Sequence, residues 1–146
     1  MMKLKNILVP IDFSKEAALA VEWAVKLAKE EKKSTVFLLH VITPIPIVPE
    51  AGIDVQSVLK SEMEQAERQV KTWKKKIPHP FQVVTDVVVG DMADEVRDYC
   101  GKNKINLVVM TTHGRRGLSR MIHPNTSEKV VRLAPCPVLV LHRNQT

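Results

Sequence analysis

The chain has 146 residues, 45% of them hydrophobic, and a formal net charge of +6, a length that fits one domain with a continuous core. No apolar run approaches the roughly 20 residues that span a bilayer and no signal-like stretch opens the chain, so it reads as cytoplasmic with no membrane partner. The lysines are spread along helical faces and not gathered with aromatics, which argues against a nucleic-acid partner, and Cys100 and Cys136 form no C-x-x-C pair, so both read as packing residues with no zinc site or disulfide framework.

In chain order, "KNILVPI" (5–11) is a short apolar run, expected as β1. From Ser14, a good N-cap, Ala17, Val21, Ala24, Val25 and Ala28 recur at helical spacing and predict α1. "STVFLLHVI" (34–42) predicts β2. "TPIPIVPEAGID" (43–54), with three prolines and a glycine, predicts a surface loop. Leu59, Met63, Ala66, Val70, Trp73 and Ile77 form the stripe of α2, and the lysines of "KTWKKK" (71–76) suit the negative end of its dipole. "FQVVTDVVVG" (81–90) predicts β3, and a short α3 from Asp91 carries Met92, Val96, Tyr99 and Cys100 on one side. "INLVVMT" (105–111) and "PVLVL" (137–141) predict β4 and β5, with α4 between them from about Asn125.

Strands that are apolar throughout belong to a parallel sheet covered on both faces. Right-handed crossovers then give a three-layer, doubly wound α/β domain of five strands filling residues 1–146. Such sheets bind ligands beyond the carboxyl ends of their strands, where strand order reverses, which here means the tips of β1 and β4.

The β1 tip reads "VPIDFS" and carries Asp12 and Ser14. A carboxylate there can accept from ribose hydroxyls or an adenine amine; it can equally satisfy free amides at the start of α1, and the sequence leaves both open. The β4 tip reads "MTTHGRRG". Gly114 and Gly117 permit close approach of backbone to a phosphate, and Arg115, Arg116 and Arg120 add positive charge or form a solvated face. His113 and His123 flank this loop without partnering acids or cysteines and read as surface or capping residues, not as metal ligands.

Taken together, "ILVPIDFS", "LLHVI", "VVVGDMADEV", "INLVVMTTHGRRGLSR" and "SEKVVRLAPCPVLVL", in that order, resemble the universal stress protein family along essentially the whole chain. The resemblance implies a five-stranded parallel sheet ordered 3-2-1-4-5, a homodimer, and in one branch ATP at the β1 and β4 tips. The family's ATP motif is Gly, two residues, Gly, nine residues, then Gly followed by Ser or Thr. Thr111, Gly114, Pro124 and Asn125 stand at those positions, so only Gly114 matches. By similarity, Asp12 contacts the nucleoside, Val41 lines the adenine slot, Met110 flanks it and Gly114 approaches the phosphates. The wider cofactor-binding set is Pro10, Ile11, Asp12, Val41, Met110, Gly114, Arg115, Gly117, Asn125 and Thr126.

Pro124 has no N–H, so one phosphate donor is lost. Asn125, with Glu128 three residues on, is expected to cap α4. The lost bond, worth about 1.5–3 kcal/mol to a charged group, corresponds to roughly ten- to a hundredfold in affinity. The expectation is weakened adenine-nucleotide binding, with Mg²⁺ able to accompany the nucleotide, in a non-catalytic stress-response or signalling module. No Walker lysine and no second acid aimed at a metal point to hydrolysis, and a phosphoacceptor receiver would need clustered acids that "VPID" does not supply. The alternative is a dimeric interaction module of the same family that binds no nucleotide. The apolar β5, at a sheet edge, is the expected dimer contact through Val138 and Val140.

Overall fold

The structure is a computed structural model that describes residues 3–31, 33–44, 52–78, 80–112 and 124–142. The elements alternate strictly: β1 (Asn6–Pro10), α1 (Lys15–Lys29), β2 (Thr35–Ile42), α2 (Val55–Lys75), β3 (Gln82–Val89), α3 (Met92–Lys102), β4 (Leu107–Thr111), α4 (Pro124–Leu133) and β5 (Val138–Leu141). The strands form one parallel sheet in the order β3-β2-β1-β4-β5, as expected. Strand order reverses at β1, and its two neighbours are connected to it from opposite directions of the chain.

Alternation of side chains along each strand separates two cores. Ile7, Val9, Ile11, Val36, Leu38 and Val109 face α1 and α2. Leu8, Leu39, Val41, Val108 and Met110 face α3 and α4. Continuous burial on both faces holds for the inner strands: β4 is buried at every residue and β1 at all but its first. It fails for β3 and β5, whose residues are mostly half-buried or exposed. The reason is position, since an edge strand has a neighbour on one side only.

The helix starts expected at Ser14 and Asp91 hold, and Asp54, which the sequence reading places in the surface loop, starts α2 in the same way. Ser14 Oγ accepts from the Ala17 amide at 3.1 Å, Asp54 accepts from Gln56 N at 3.1 Å, and Asp91 accepts from Asp94 N at 3.2 Å. Each side chain satisfies an amide that the first helical turn leaves without a partner. The basic residues Lys74, Lys75 and Lys76 do lie at the end of α2, where Lys76 also stands over the Trp73 ring at 5.7 Å. Of the surface loop expected over 43–54, residues 45–51 lie outside the described residues.

The fourth helix corrects an expectation. α4 begins at Pro124, so Asn125 is its second residue and not its N-cap, and Glu128 is not in capping-box register with it. Proline favours the first helical position because its φ is already set for a helix and its missing N–H would have had no intrahelical partner there.

Candidate functional site at the carboxyl ends of the strands

The sheet is not evenly closed at its carboxyl end. Pairing of β1 with β2 runs on to Pro10↔Leu39, but pairing of β1 with β4 stops at Leu8↔Val108. Ile11 N donates to Leu39 O at 2.8 Å, so the backbone of Ile11 faces β2 and that of Pro10 faces β4, because successive residues of a strand turn their polar groups to opposite neighbours. Pro10 has no N–H to offer β4. A proline in a central strand therefore ends the ladder with β4 at this point, while the ladder with β2 continues.

Asp12 stands just past this point and is 2% exposed. Its Oδ1 accepts from Ser14 N at 2.9 Å and from the Ser14 hydroxyl, which in turn caps α1. The capping role left open by the sequence is thus realised, and it fixes the carboxylate at the β1 tip. Phe13 between them has φ of 63°, a left-handed conformation that costs a non-glycine residue of order 1 kcal/mol or more and is held by its surroundings.

Those surroundings are aromatic. The Phe13 ring lies 4.4 Å from His40 and 5.9 Å, edge-on, from Trp73. His40 Nδ1 is 2.7 Å from the Ile11 carbonyl; a carbonyl only accepts, so Nδ1 carries the proton. Burial holds the His40 pKa below its ordinary value, against the raising effects of that carbonyl and of the Asp12 and Glu62 charges. The imidazole is therefore a neutral strut under the β1 tip. Its depressed pKa means the unfolded chain binds the proton more readily, so His40 lowers stability as pH falls from about 6.5 toward its folded-state pKa. A His40→Gln variant should lose this part of the slope of unfolding free energy between pH 5 and 7, measured by urea titration; an unchanged slope would contradict the assignment.

The remaining site residues divide into two groups. Val41 and Met110 lie on the α3/α4 side of the sheet, Val41 almost buried and Met110 wholly so. Ile11 is buried on the opposite side. Asn125 is exposed and Thr126 half-buried in the first turn of α4. With Pro124 as its first residue, the amides of Asn125 and Thr126 are donors that α4 itself leaves without an intrahelical partner, and no acidic side chain occupies the first turn. Ser127, one residue on, is buried and its Oγ has no hydrogen-bond partner among the described residues. Gly114, Arg115 and Gly117, together with His113, Arg116, Arg120 and His123, lie outside the described residues.

The sequence alone missed the early end of the β1–β4 ladder at Pro10, whose only signal was a proline inside an apolar run. It also missed the His40–Phe13–Trp73 support, because three residues from three elements carry no common spacing. Among the described residues no group of three or more His, Cys, Asp or Glu side chains is placed to hold a metal ion, and no helix is long and apolar enough to cross a membrane.

Comparison with known proteins agrees with this architecture. The model of the universal stress protein family matches residues 3–142. Universal stress protein YxiE of Bacillus subtilis is 32% identical, with 93% of this chain and 97% of the relative covered. Universal stress protein MJ0531 of Methanocaldococcus jannaschii is 31% identical over 95% of this chain and 82% of its own length. The solved structure of MJ0577, from the same archaeon, superposes with a TM-score of 0.82 at 28% identity, covering all of both chains. The chain belongs to the universal stress protein family.

Proposed function

We propose that this chain binds an adenine nucleotide at the carboxyl ends of β1 and β4 with a weakened phosphate grip, and that it acts as a non-catalytic sensing module in the cytoplasm. The observation that carries the reading is that β1 stops pairing with β4 before it stops pairing with β2, at the point where strand order reverses and beside the buried carboxylate of Asp12. Val41 and Met110 supply an apolar wall on the α3/α4 side. The first turn of α4 supplies the Asn125 and Thr126 amides and the positive end of a dipole that no acid neutralises. The Ser127 hydroxyl, without a partner among the described residues, is a further polar group on the same turn. Gly114, Arg115 and Gly117 would close the phosphate side.

Solved proteins of this fold carry such ligands: a universal stress family protein of Arabidopsis thaliana was crystallised with AMP, and another universal stress protein is a complex with cAMP. In this reading the described residues bind and orient the nucleotide, and none of them is assigned to activate water. Asp12 is engaged by Ser14, and Mg²⁺ would arrive with the nucleotide, since the described residues offer it no cluster. ATP at millimolar concentration should raise the thermal midpoint by mass action on the folded state with no release of inorganic phosphate above background. A steady release abolished by Asp12→Asn would overturn the non-catalytic part.

The same reading places a homodimer contact on β5. This strand is an edge, with Val138 and Val140 packed against the α3/α4 core. Val108 N donates to Pro137 O and Thr112 N to Leu141 O, both at 3.0 Å, so Pro137, Leu139 and Leu141 turn their backbones to β4, and Val138 and Val140 turn theirs to the open edge. Val140→Pro removes one outward donor without touching the β4 ladder. Sedimentation at micromolar concentration should show a dimer for the parent chain and a monomer for the variant; a monomeric parent would contradict the proposal.

A further inference from the structure

The two faces of the sheet are covered differently. On one, α3 and α4 bring their backbones close together; on the other, α1 and α2 lie on the strands of their shared core with little backbone contact between them. A groove of about 430 Å³ lies in that gap. Its floor is apolar, formed by Val21 and Val25 of α1 with Trp73 and Ile77 at the end of α2, and its rim carries Lys26, Lys29 and Lys76 against the single carboxylate of Glu22. None of these residues belongs to the nucleotide site described above. We propose that the groove binds a medium-chain fatty acid anion, with the tail along α1 and the carboxylate against Lys29 and Lys76.

Size and shape select a single chain. From Ala18 to Lys29, the first and last α1 residues of the lining, the helix advances roughly 16 Å at 1.5 Å per residue. An extended alkyl chain fits that length. The volume falls in the range of about 300–1,000 Å³ that holds small molecules, and it is small for the row of i, i+3, i+4 and i+7 anchors with which a partner helix would dock. The wall is also preformed, because Trp73 is held edge-on by Phe13 at 5.9 Å and lies under Lys76 at 5.7 Å. A wall already in place costs little ordering when a ligand arrives.

Charge selects an anionic head. Glu22 is engaged by Lys26 at 3.4 Å, and Lys26 also stands over the Trp23 ring at 5.8 Å. Among the described residues Lys29 and Lys76 make no ion pair. They stand at the carboxyl ends of α1 and α2, where each helix dipole amounts to about half a negative charge. An excess of positive charge therefore remains for a ligand carboxylate.

Trp23→Phe leaves Trp73 as the only tryptophan, so its fluorescence reports on the groove wall. Titration of that protein with sodium decanoate, kept below its micelle concentration, should give a saturable change. Affinity should rise from hexanoate through octanoate to decanoate, by up to about tenfold for each two methylenes buried. Decyltrimethylammonium, with the same tail and the opposite charge, should give no such response, and calorimetry on the parent chain repeats the comparison without any substitution. The double variant Lys29→Gln, Lys76→Gln should weaken decanoate roughly tenfold, the worth of two partly exposed ion pairs. Ala18→Leu, at an exposed helical position, narrows the groove and should weaken decanoate by a similar factor while leaving the thermal midpoint nearly unchanged. An equal response to the ammonium, no saturation with decanoate, or unchanged affinity in both variants would overturn the proposal. So would binding to phosphatidylglycerol vesicles that the lysine variant loses and Ala18→Leu keeps, since that would mark a basic surface for lipid headgroups with no site for a tail.

Discussion

Restoring glycine and serine in the double variant Pro124→Gly, Asn125→Ser should tighten ATP binding by roughly ten- to a hundredfold, the worth of one hydrogen bond to a charged phosphate. The physical basis is the start of α4: Pro124 is its first residue, so the donor lost is one that the helix itself never uses, and helix formation should be little affected by the change. Asp12→Ala should weaken binding in both backgrounds by a similar factor, because it acts on the nucleoside half. It should also cost stability, since Asp12 accepts from both the amide and the hydroxyl of Ser14 and so secures the start of α1. Titration of the four proteins with ATP checks both effects. Equal affinities for parent and double variant would mean that position 124 does not face the phosphates.

The largest effect on stability is expected from Leu39→Ala. Leu39 is fully buried in β2, its side chain in the core beneath α3 and α4, and its carbonyl accepts from Ile11 N at the β1 tip. Truncation in a packed core removes transfer energy and leaves a cavity, together about 2–5 kcal/mol. For a chain of this size that is a fall of about 10 °C in thermal midpoint. Val131→Ala, at a position 52% exposed on α4, serves as the control and should move the midpoint by no more than a degree or two. Comparable losses in both would contradict the two-layered core.

How much of this was legible before any coordinates depends on whether the cause is local. Ser14 and Asp91 cap α1 and α3 as the sequence implied, because a cap is decided by residues three apart. The strand order is as the resemblance to the family implied; the apolar runs alternating with helical stripes lead by themselves to a doubly wound parallel sheet. Two good helix-start signals compete within the dipeptide Pro124-Asn125, and proline at the first helical position prevails over Asn125 as a cap. The exposure of β3 was legible in "FQVVTDVVVG" only at Gln82 and Asp86; that its valines are mostly half-buried follows from its place at the sheet edge. The site was legible as far as its β1 tip. The early end of the β1–β4 ladder was not, because it is a difference between the two sides of β1 that appears only once the strands are paired.

The central claim is that a nucleoside half has survived beside a damaged phosphate half. Calorimetric titration of the parent chain, stripped of co-purified ligand, with AMP, ADP and ATP tests it most directly. The account predicts saturable binding of all three at sub-millimolar to millimolar concentration, with affinities within about tenfold of one another, since one lost hydrogen bond removes most of the advantage of the added phosphates. No heat of binding at millimolar ATP, in the parent chain and in the Pro124→Gly, Asn125→Ser variant alike, would contradict the account and leave a dimeric interaction module that binds no nucleotide.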